Sequence, residues 1–314
     1  MFDTFYTIMA SNNPNLYFLR WVLIIAIITV LVFISKHIYK RNSLDGFTQS
    51  EPFVYKYGKD SIDSFYVDIY DSLHETKTRS QDELIKFIEM TEPSVQHSNI
   101  LDVGSGTGYI VNELTQAGYD VYGIDKSKEM LTYAQTNYPD AEYVYGDVLN
   151  SMQFEKSTFT HILCTYFTIY QLEDKKKFFR NCYFWMKPNS YLMLHLVDTD
   201  KFTKIIPTDE TTNETQKVNE NRIITTNAIF SDYKYKCSYD IPEDNDKLTV
   251  TLKETFVDME TEHIRQNESH MYMEKLDTIL KLATDNGFIL HGKVNMKNSN
   301  GDENQYLYIL ERSL

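Results

Sequence analysis

Cysteine is scarce, with only Cys164, Cys182 and Cys237 among 314 residues. They are odd in number, widely spaced and without a Cys-x-x-Cys pair, which argues against a disulfide framework and against a zinc site, so no metal is expected. Small buried thiols are the expected state. Basic charge is lacking too. The formal net charge is -14 at pH 7, and no basic face along the chain opposes it. A phosphate backbone would be repelled, and nucleic acid is not expected as a partner. No internal repeat is present. Nor is this a disordered composition: 42% hydrophobic and 14% aromatic residues can bury a core, in one large domain or one domain with an elaborate insertion.

One long apolar run stands at the amino terminus. Residues 16–34 read LYFLRWVLIIAIITVLVFI, about the length that crosses a bilayer's hydrocarbon core. Arg20 can snorkel to the interface, Tyr17 and Trp21 sit where interfacial aromatics are found, and Lys36, His37, Lys40 and Arg41 follow on the far side. This predicts a tail at 1–15, a transmembrane helix at 16–35 and a juxtamembrane linker at 36–57, with the domain 58–314 on the cytosolic face. A cleaved signal peptide is the rival reading. It wants basic residues before the run and small ones after it, and Phe33-Ile34-Ser35-Lys36 offers no good site. Asn213-Glu214-Thr215 and Asn267-Glu268-Ser269 fit the glycosylation pattern, a triplet that arises by chance in an Asn-rich chain.

Beyond the linker, Ser80-Gln81-Asp82-Glu83 has capping-box form and predicts a helix that starts there and stops before Pro93. Strand and helix then alternate through residue 197, which means a parallel sheet with helices on both faces. From 221 to 273 the apolar period becomes two, predicting an antiparallel sheet of roughly three strands. Helix 275–286 and strands 288–294 and 306–311 resume the first pattern. The β-rich segment, about 200–273, is thus an insertion into one domain.

In a doubly wound sheet, ligands bind beyond the carboxyl ends of the strands where strand order reverses. The first strand of that sheet ends in Asp102-Val103-Gly104-Ser105-Gly106-Thr107-Gly108, whose glycines let the backbone turn tightly and approach a ligand. The third glycine comes one residue early for a dinucleotide fingerprint, which disfavours a nicotinamide-dependent oxidoreductase. Asp125 ends the second strand, where a carboxylate can accept from both ribose hydroxyls. Asp147 ends the third, placed to accept from an adenine amino group. Either aspartate alone reads as well as a helix cap or turn residue; together with the glycines they read as a cofactor groove.

These motifs, with the late insertion, resemble the class I S-adenosylmethionine-dependent methyltransferases. They are most similar to the group acting on small molecules, which includes glycine, sarcosine and amino-sugar N-methyltransferases. The resemblance spans about 55–314 and implies an α/β, doubly wound, Rossmann-like, seven-stranded and mostly parallel sheet. It further implies S-adenosyl-L-methionine as cofactor and a small-molecule acceptor, to which the predicted membrane anchor adds a lipid headgroup. It would place Asp102 and Gly104 near the methionine part, Asp125 on the ribose, Met130 and Val148 against adenine, and Asp147 on its amino group. Ser105, Gly106, Gly108, Lys126 and Thr165 join them as cofactor-side candidates. One departure is visible, Pro188-Asn189-Ser190 where Pro-Gly-Gly is common.

Methyl transfer from a sulfonium is an in-line displacement, which rests mainly on alignment and desolvation. A base is needed only if the acceptor must lose a proton. Acceptor-side candidates at the ends of the fourth and fifth strands are Tyr166, Tyr170, His195 and Asp198. Tyr66 and Tyr70 are candidates for a lid over the sulfonium, and Arg79 for a bidentate clamp on the cofactor carboxylate. The bland alternatives are filler among 24 tyrosines, a satisfied buried histidine at 195 and an exposed arginine at 79. A protein methyltransferase and a silent methyltransferase-fold binding module stay open as alternatives. Intact glycines, Asp125 and Asp147 speak against the second. Oligomeric state is not legible.

Overall fold

The computed structural model describes residues 21–22, 24–32, 51–203, 206, 212–218, 221–242 and 249–313. Of the predicted membrane span, residues 21–22 and 24–32 are helical, with Ile25, Ile28, Val30 and Leu31 exposed. Among the described residues no helix is long and apolar enough to cross a membrane. The rest of the predicted span, the tail and residues 36–50 of the predicted linker lie outside the described residues.

Residues Gln49–Leu314 form a separate unit. Its chain order begins with strand β1 (Phe53–Tyr57) and helices α1 (Ser64–Leu73) and α2 (Thr76–Thr91). There follow β2 (Asn99–Val103), α3 (Tyr109–Gln116), β3 (Asp120–Asp125), α4 (Lys128–Asn137), β4 (Glu142–Tyr145), β5 (Phe159–Cys164), α5 (Lys175–Trp185) and β6 (Met186–Val197). Five strands come next: β7 (Thr212–Val218), β8 (Asn221–Ile229), β9 (Tyr233–Ile241), β10 (Thr249–Asp258) and β11 (Ile264–Tyr272). Helix α6 (Leu276–Asp285) and strands β12 (Phe288–Asn295) and β13 (Gln305–Arg312) end the unit.

A seven-stranded sheet runs in the order β12-β13-β6-β5-β2-β3-β4. The strands from β6 to β4 are parallel, while β13 is antiparallel to β6 and β12 to β13. This is the expected doubly wound sheet. On one face Leu84 and Phe87 of α2 and Ile110, Val111 and Leu114 of α3 pack against Ile100, Leu163 and Met193. Phe178, Phe179, Cys182 and Trp185 of α5 are fully buried, and all three cysteines are buried and unpaired. Asn189 has φ +56°, a left-handed turn that Asn tolerates. That accounts for its standing where the common turn has glycine.

Three expectations are corrected. Helix α2 starts at Thr76 rather than Ser80, so the capping box is unused: Ser80 lies in the second turn, 1% exposed, and Glu83 is spent on Arg79 at 3.0 Å. Residues 221–273 hold four strands rather than roughly three, and β7 precedes them in the insertion. Residues 53–57, taken as linker, form β1, which pairs in parallel with β11 and completes a six-stranded second sheet, β1-β11-β10-β9-β8-β7. Asn267 of the second glycosylation triplet is 1% exposed and accepts from Arg265 Nε at 3.0 Å, which seals it from modification in the folded chain.

Candidate active site

Strand order reverses between β2 and β5, since the chain leaves β2 for β3 on one side and returns to β5 on the other. Their carboxyl ends open a crevice there. Gly104, Gly106 and Gly108 cross it with φ of +68°, +53° and +85°. A Cβ on Gly104 would stand 2.5 Å from Thr168 Cγ2, and one on Gly108 would stand 2.4 Å from Tyr143 Oη. Gly104 therefore admits the 3-10 turn Thr168–Gln171 to the loop, and Gly108 starts α3 hard against β4 and α4. Gly104 N and Ser105 N donate to Ile124 O at 2.8 and 3.1 Å, tying the loop to the end of β3.

Asp125 closes that strand end. Its Oδ2 accepts from Gly106 N at 3.0 Å and its Oδ1 from Ser127 N at 2.8 Å. Each carboxylate oxygen keeps a second lone pair for a ligand. Burial raises the pKa of this group, against the lowering effect of its backbone N–H donors and of the Lys126 charge.

The groove has two lobes that meet at Gly104 and Thr168. Asp125, Lys126, Gly146, Asp147 and Val148 line the first, facing Gln171 and Leu172 from the turn after β5. Asp147 is exposed and accepts from Leu149 N at 2.8 Å. Met130, expected beside it, is buried on α4 and is not part of this lining. Tyr70, Thr76, Arg79, Ser80, Asp102, Ser105, Thr165 and Tyr166 line the second lobe.

The second lobe concentrates buried polar chemistry. Arg79 is 4% exposed, and its guanidinium lies 4.1 Å over the Tyr166 ring, whose backbone sits at φ +50°. Asp102 is held well above the usual carboxylate range, by burial first and then by Glu83 and Asp125. Thr76 Oγ1, Arg79 Nε, Ser80 Oγ, Glu83 Oε1, Asp102 Oδ1 and Ser105 Oγ are all buried without a hydrogen-bond partner. Buried polar atoms in folded proteins are ordinarily paired, so the five orphans that line this lobe, all but that of Glu83, mark a place built for a polar ligand.

Other sequence candidates stand elsewhere. Tyr66 is buried beside Tyr70, and its hydroxyl donates to Glu254 Oε1 at 3.1 Å. Tyr170 is fully buried, and its oxygen accepts from Val197 N at 2.8 Å. His195 is fully buried with Nε2 3.1 Å from Gln305 Oε1, and burial lowers its pKa to about 3, so the ring is neutral. Neither Tyr170 nor His195 lines either lobe: Tyr170 turns its hydroxyl to the backbone of β6, and β6 is covered on both faces, so that a polar residue on it such as His195 need not meet ligand. Asp198 pairs with Lys201 at 3.1 Å. Sequence reasoning missed Thr76, Ser80, Thr168, Gln171 and Leu172, which come from a helix start and a 3-10 turn without apolar period. It also missed His74 and Glu254, which meet only in three dimensions.

Residues 101–194 match the model of a methyltransferase domain. The chain is 26% identical over 147 residues to the putative methyltransferase YqeM of Bacillus subtilis (strain 168), covering 45% of this chain and 58% of that one. It spans about half the length of the curated relatives it matches. Among solved structures it superposes on an S-adenosylmethionine-dependent methyltransferase from Clostridium acetobutylicum ATCC 824 with a TM-score of 0.58 at 17% identity, covering 79% of this chain and 98% of that one. CalS10 of Micromonospora echinaspora, an amino pentose methyltransferase solved with S-adenosylmethionine bound, gives a TM-score of 0.53 at 14% identity, with 78% and 97% covered. The unit therefore has the class I S-adenosylmethionine-dependent methyltransferase fold and carries a methyltransferase domain.

Proposed function

We propose that this chain is an S-adenosylmethionine-dependent methyltransferase for a small-molecule or lipid-headgroup acceptor, tethered to a membrane through residues 16–35 with its domain on the cytosolic side. The observation that carries the catalytic part is the set of five orphaned polar atoms, on Thr76, Arg79, Ser80, Asp102 and Ser105, in the lining of the second lobe. They mix acceptors with donors, as the zwitterionic amino-acid end of that cofactor demands. Asp102 Oδ1 suits its ammonium, Arg79 Nε suits its carboxylate, and the three hydroxyls of Thr76, Ser80 and Ser105 serve either. Asp125 would hold the ribose. Asp147 would hold the adenine amino group, with Val148 and Leu172 against the ring.

When bound, the cofactor supplies an electrophilic methyl group on a sulfonium. The chain's own work is alignment and exclusion of water. The rings of Tyr70 and Tyr166 border the second lobe, where their faces attract a cation. Arg79, stacked on Tyr166 and paired with Glu83, holds that aromatic wall in place.

The test is full-length protein with methyl-labelled cofactor and a total metabolite and lipid extract of the source organism. Label is expected in one acceptor fraction. Cofactor bound without label moving would make the fold a silent binding module instead. The tether rests on the apolar run and its flanking charges. It predicts that full-length protein stays in the membrane pellet through alkaline carbonate washing and that a chain lacking 1–48 does not; release of the full-length chain would overturn it.

A further inference from the structure

A chain of hydrogen bonds leaves the second lobe and ends inside the inserted sheet. Tyr166, in the lobe wall, has its hydroxyl 3.0 Å from His74 Nδ1. His74 Nε2 lies 3.4 Å from the Tyr66 hydroxyl, which donates to Glu254 Oε1 at 3.1 Å. Tyr235 donates to the same oxygen from the side at 2.8 Å. His74 and Glu254 are buried, 7% and 5% exposed, and the path passes from β5 through α1 to β10. With the His74 proton on Nε2 the three links have one consistent polarity: Tyr166 O–H to Nδ1, Nε2–H to Tyr66, Tyr66 O–H to Glu254.

Resting on the methyltransferase reading, we propose that this path carries a proton from the acceptor to Glu254, so that the inserted sheet supplies the base and the acceptor is one that arrives protonated, an amine held as ammonium. The acceptor N–H gives its proton to Tyr166 Oη as the Tyr166 hydroxyl proton passes to His74 Nδ1. His74 Nε2 gives its proton to Tyr66 Oη as the Tyr66 hydroxyl proton passes to Glu254. The acceptor nitrogen is left with a free electron pair, the carboxylate becomes a neutral acid, and each relay group ends with the proton count it began with. The reverse path resets it after product leaves.

The chemistry selects the acceptor class. An alkylammonium has a pKa of about 10, close to a tyrosine's, whereas a water-like hydroxyl lies near 16, far out of reach of a carboxylate. Burial raises the pKa of Glu254, which narrows the gap to an ammonium. Burial also lowers that of His74 to about 3, with Arg79 adding to the effect. The imidazole therefore stands neutral and passes protons through its two nitrogens instead of storing one.

The test separates a proton path from mere packing, because Tyr66 and Tyr235 both bond Glu254 and only Tyr66 lies on the path. Label transfer into the metabolite extract should fall roughly 100-fold in Tyr66→Phe and in Glu254→Gln, the scale of lost acid–base catalysis. Tyr235→Phe should change it by less than about tenfold, the scale of one hydrogen bond. Calorimetric affinity for S-adenosylhomocysteine should be unchanged in all three, and the label should enter the fraction that a cation exchanger retains. Without any cofactor, 15N NMR should find His74 neutral with its proton on Nε2. Equal losses in Tyr66→Phe and Tyr235→Phe, label in a neutral or acidic product, or a His74 proton on Nδ1 would each overturn the relay. A protein that binds cofactor and transfers nothing would instead overturn the methyl-transfer reading on which the relay rests.

Discussion

Asp102 is a carboxyl group 2% exposed, with Oδ1 unpaired and Glu83 and Asp125 near enough to repel its charge. Ionising it there costs stability. Since its folded pKa lies above the unfolded value, the folded chain holds the proton more tightly, and stability from this residue falls as pH rises through the folded pKa. Asp102→Asn removes that cost and also removes the anion proposed to meet the cofactor's ammonium. The variant should therefore unfold at a higher temperature than the wild type near pH 8, by a margin that shrinks as pH falls, and should bind cofactor about tenfold more weakly. Thermal unfolding and calorimetry read both effects. A lower melting temperature with unchanged affinity would contradict the assignment. The glycine loop and Asp125 were legible in the sequence because strand periodicity fixes where a strand ends, and the loop at that end faces the crevice; Asp102 was singled out through the family resemblance. Thr168 and Leu172 were not, because a 3-10 turn of four residues has no apolar period to announce it.

Among the elements, β6 shows how an element hides the role of its residues. Leu194, His195 and Leu196 are all fully buried, so alternation does not tell which side meets ligand, and His195 proves to be a core histidine on Gln305. Its folded pKa of about 3 lies below the unfolded value of about 6.5. Below pH 6.5 the unfolded chain takes up a proton that the folded chain refuses. The stability of His195 is thus fully present above that pH and lost progressively toward pH 3, at up to about 1.4 kcal/mol per pH unit. His195→Asn should be destabilised at pH 8, and its gap to the wild type should narrow between pH 6.5 and 5 in denaturant titrations. A gap constant with pH would mean the ring titrates equally in both states. Helix α2 makes a similar point: Ser80 and Glu83 spell a capping box, but the buried pair of Glu83 with Arg79 outweighs an exposed start, and the helix begins a turn earlier.

At the scale of the molecule, the seven-stranded sheet was readable because most strands and helices from β2 to β6 are punctuated by glycine, proline, aspartate or a capping serine, as at Gly104, Gly118, Asp125, Ser127, Pro139, Gly146 and Asp174. The second sheet was only half readable. Its period-two stretches announce strands, but β1 is a short edge strand that belongs to it through pairing with β11, more than 200 residues later. Glu254 meets Tyr66 across 188 positions, a distance no local pattern records. The inserted sheet in this way ties a carboxylate, through Tyr66, His74 and Tyr166, to a groove whose own acids are proposed to hold the cofactor.

The central claim is that the groove between β2 and β5 holds S-adenosylmethionine. Calorimetric titration of the full-length protein with S-adenosylhomocysteine tests it most directly. One site per chain is predicted, with affinity reduced about 10-fold to 100-fold in Asp125→Ala, the scale of hydrogen bonds to a charged group. A wild-type protein that gives no binding, or an Asp125→Ala variant that binds as tightly, would contradict it.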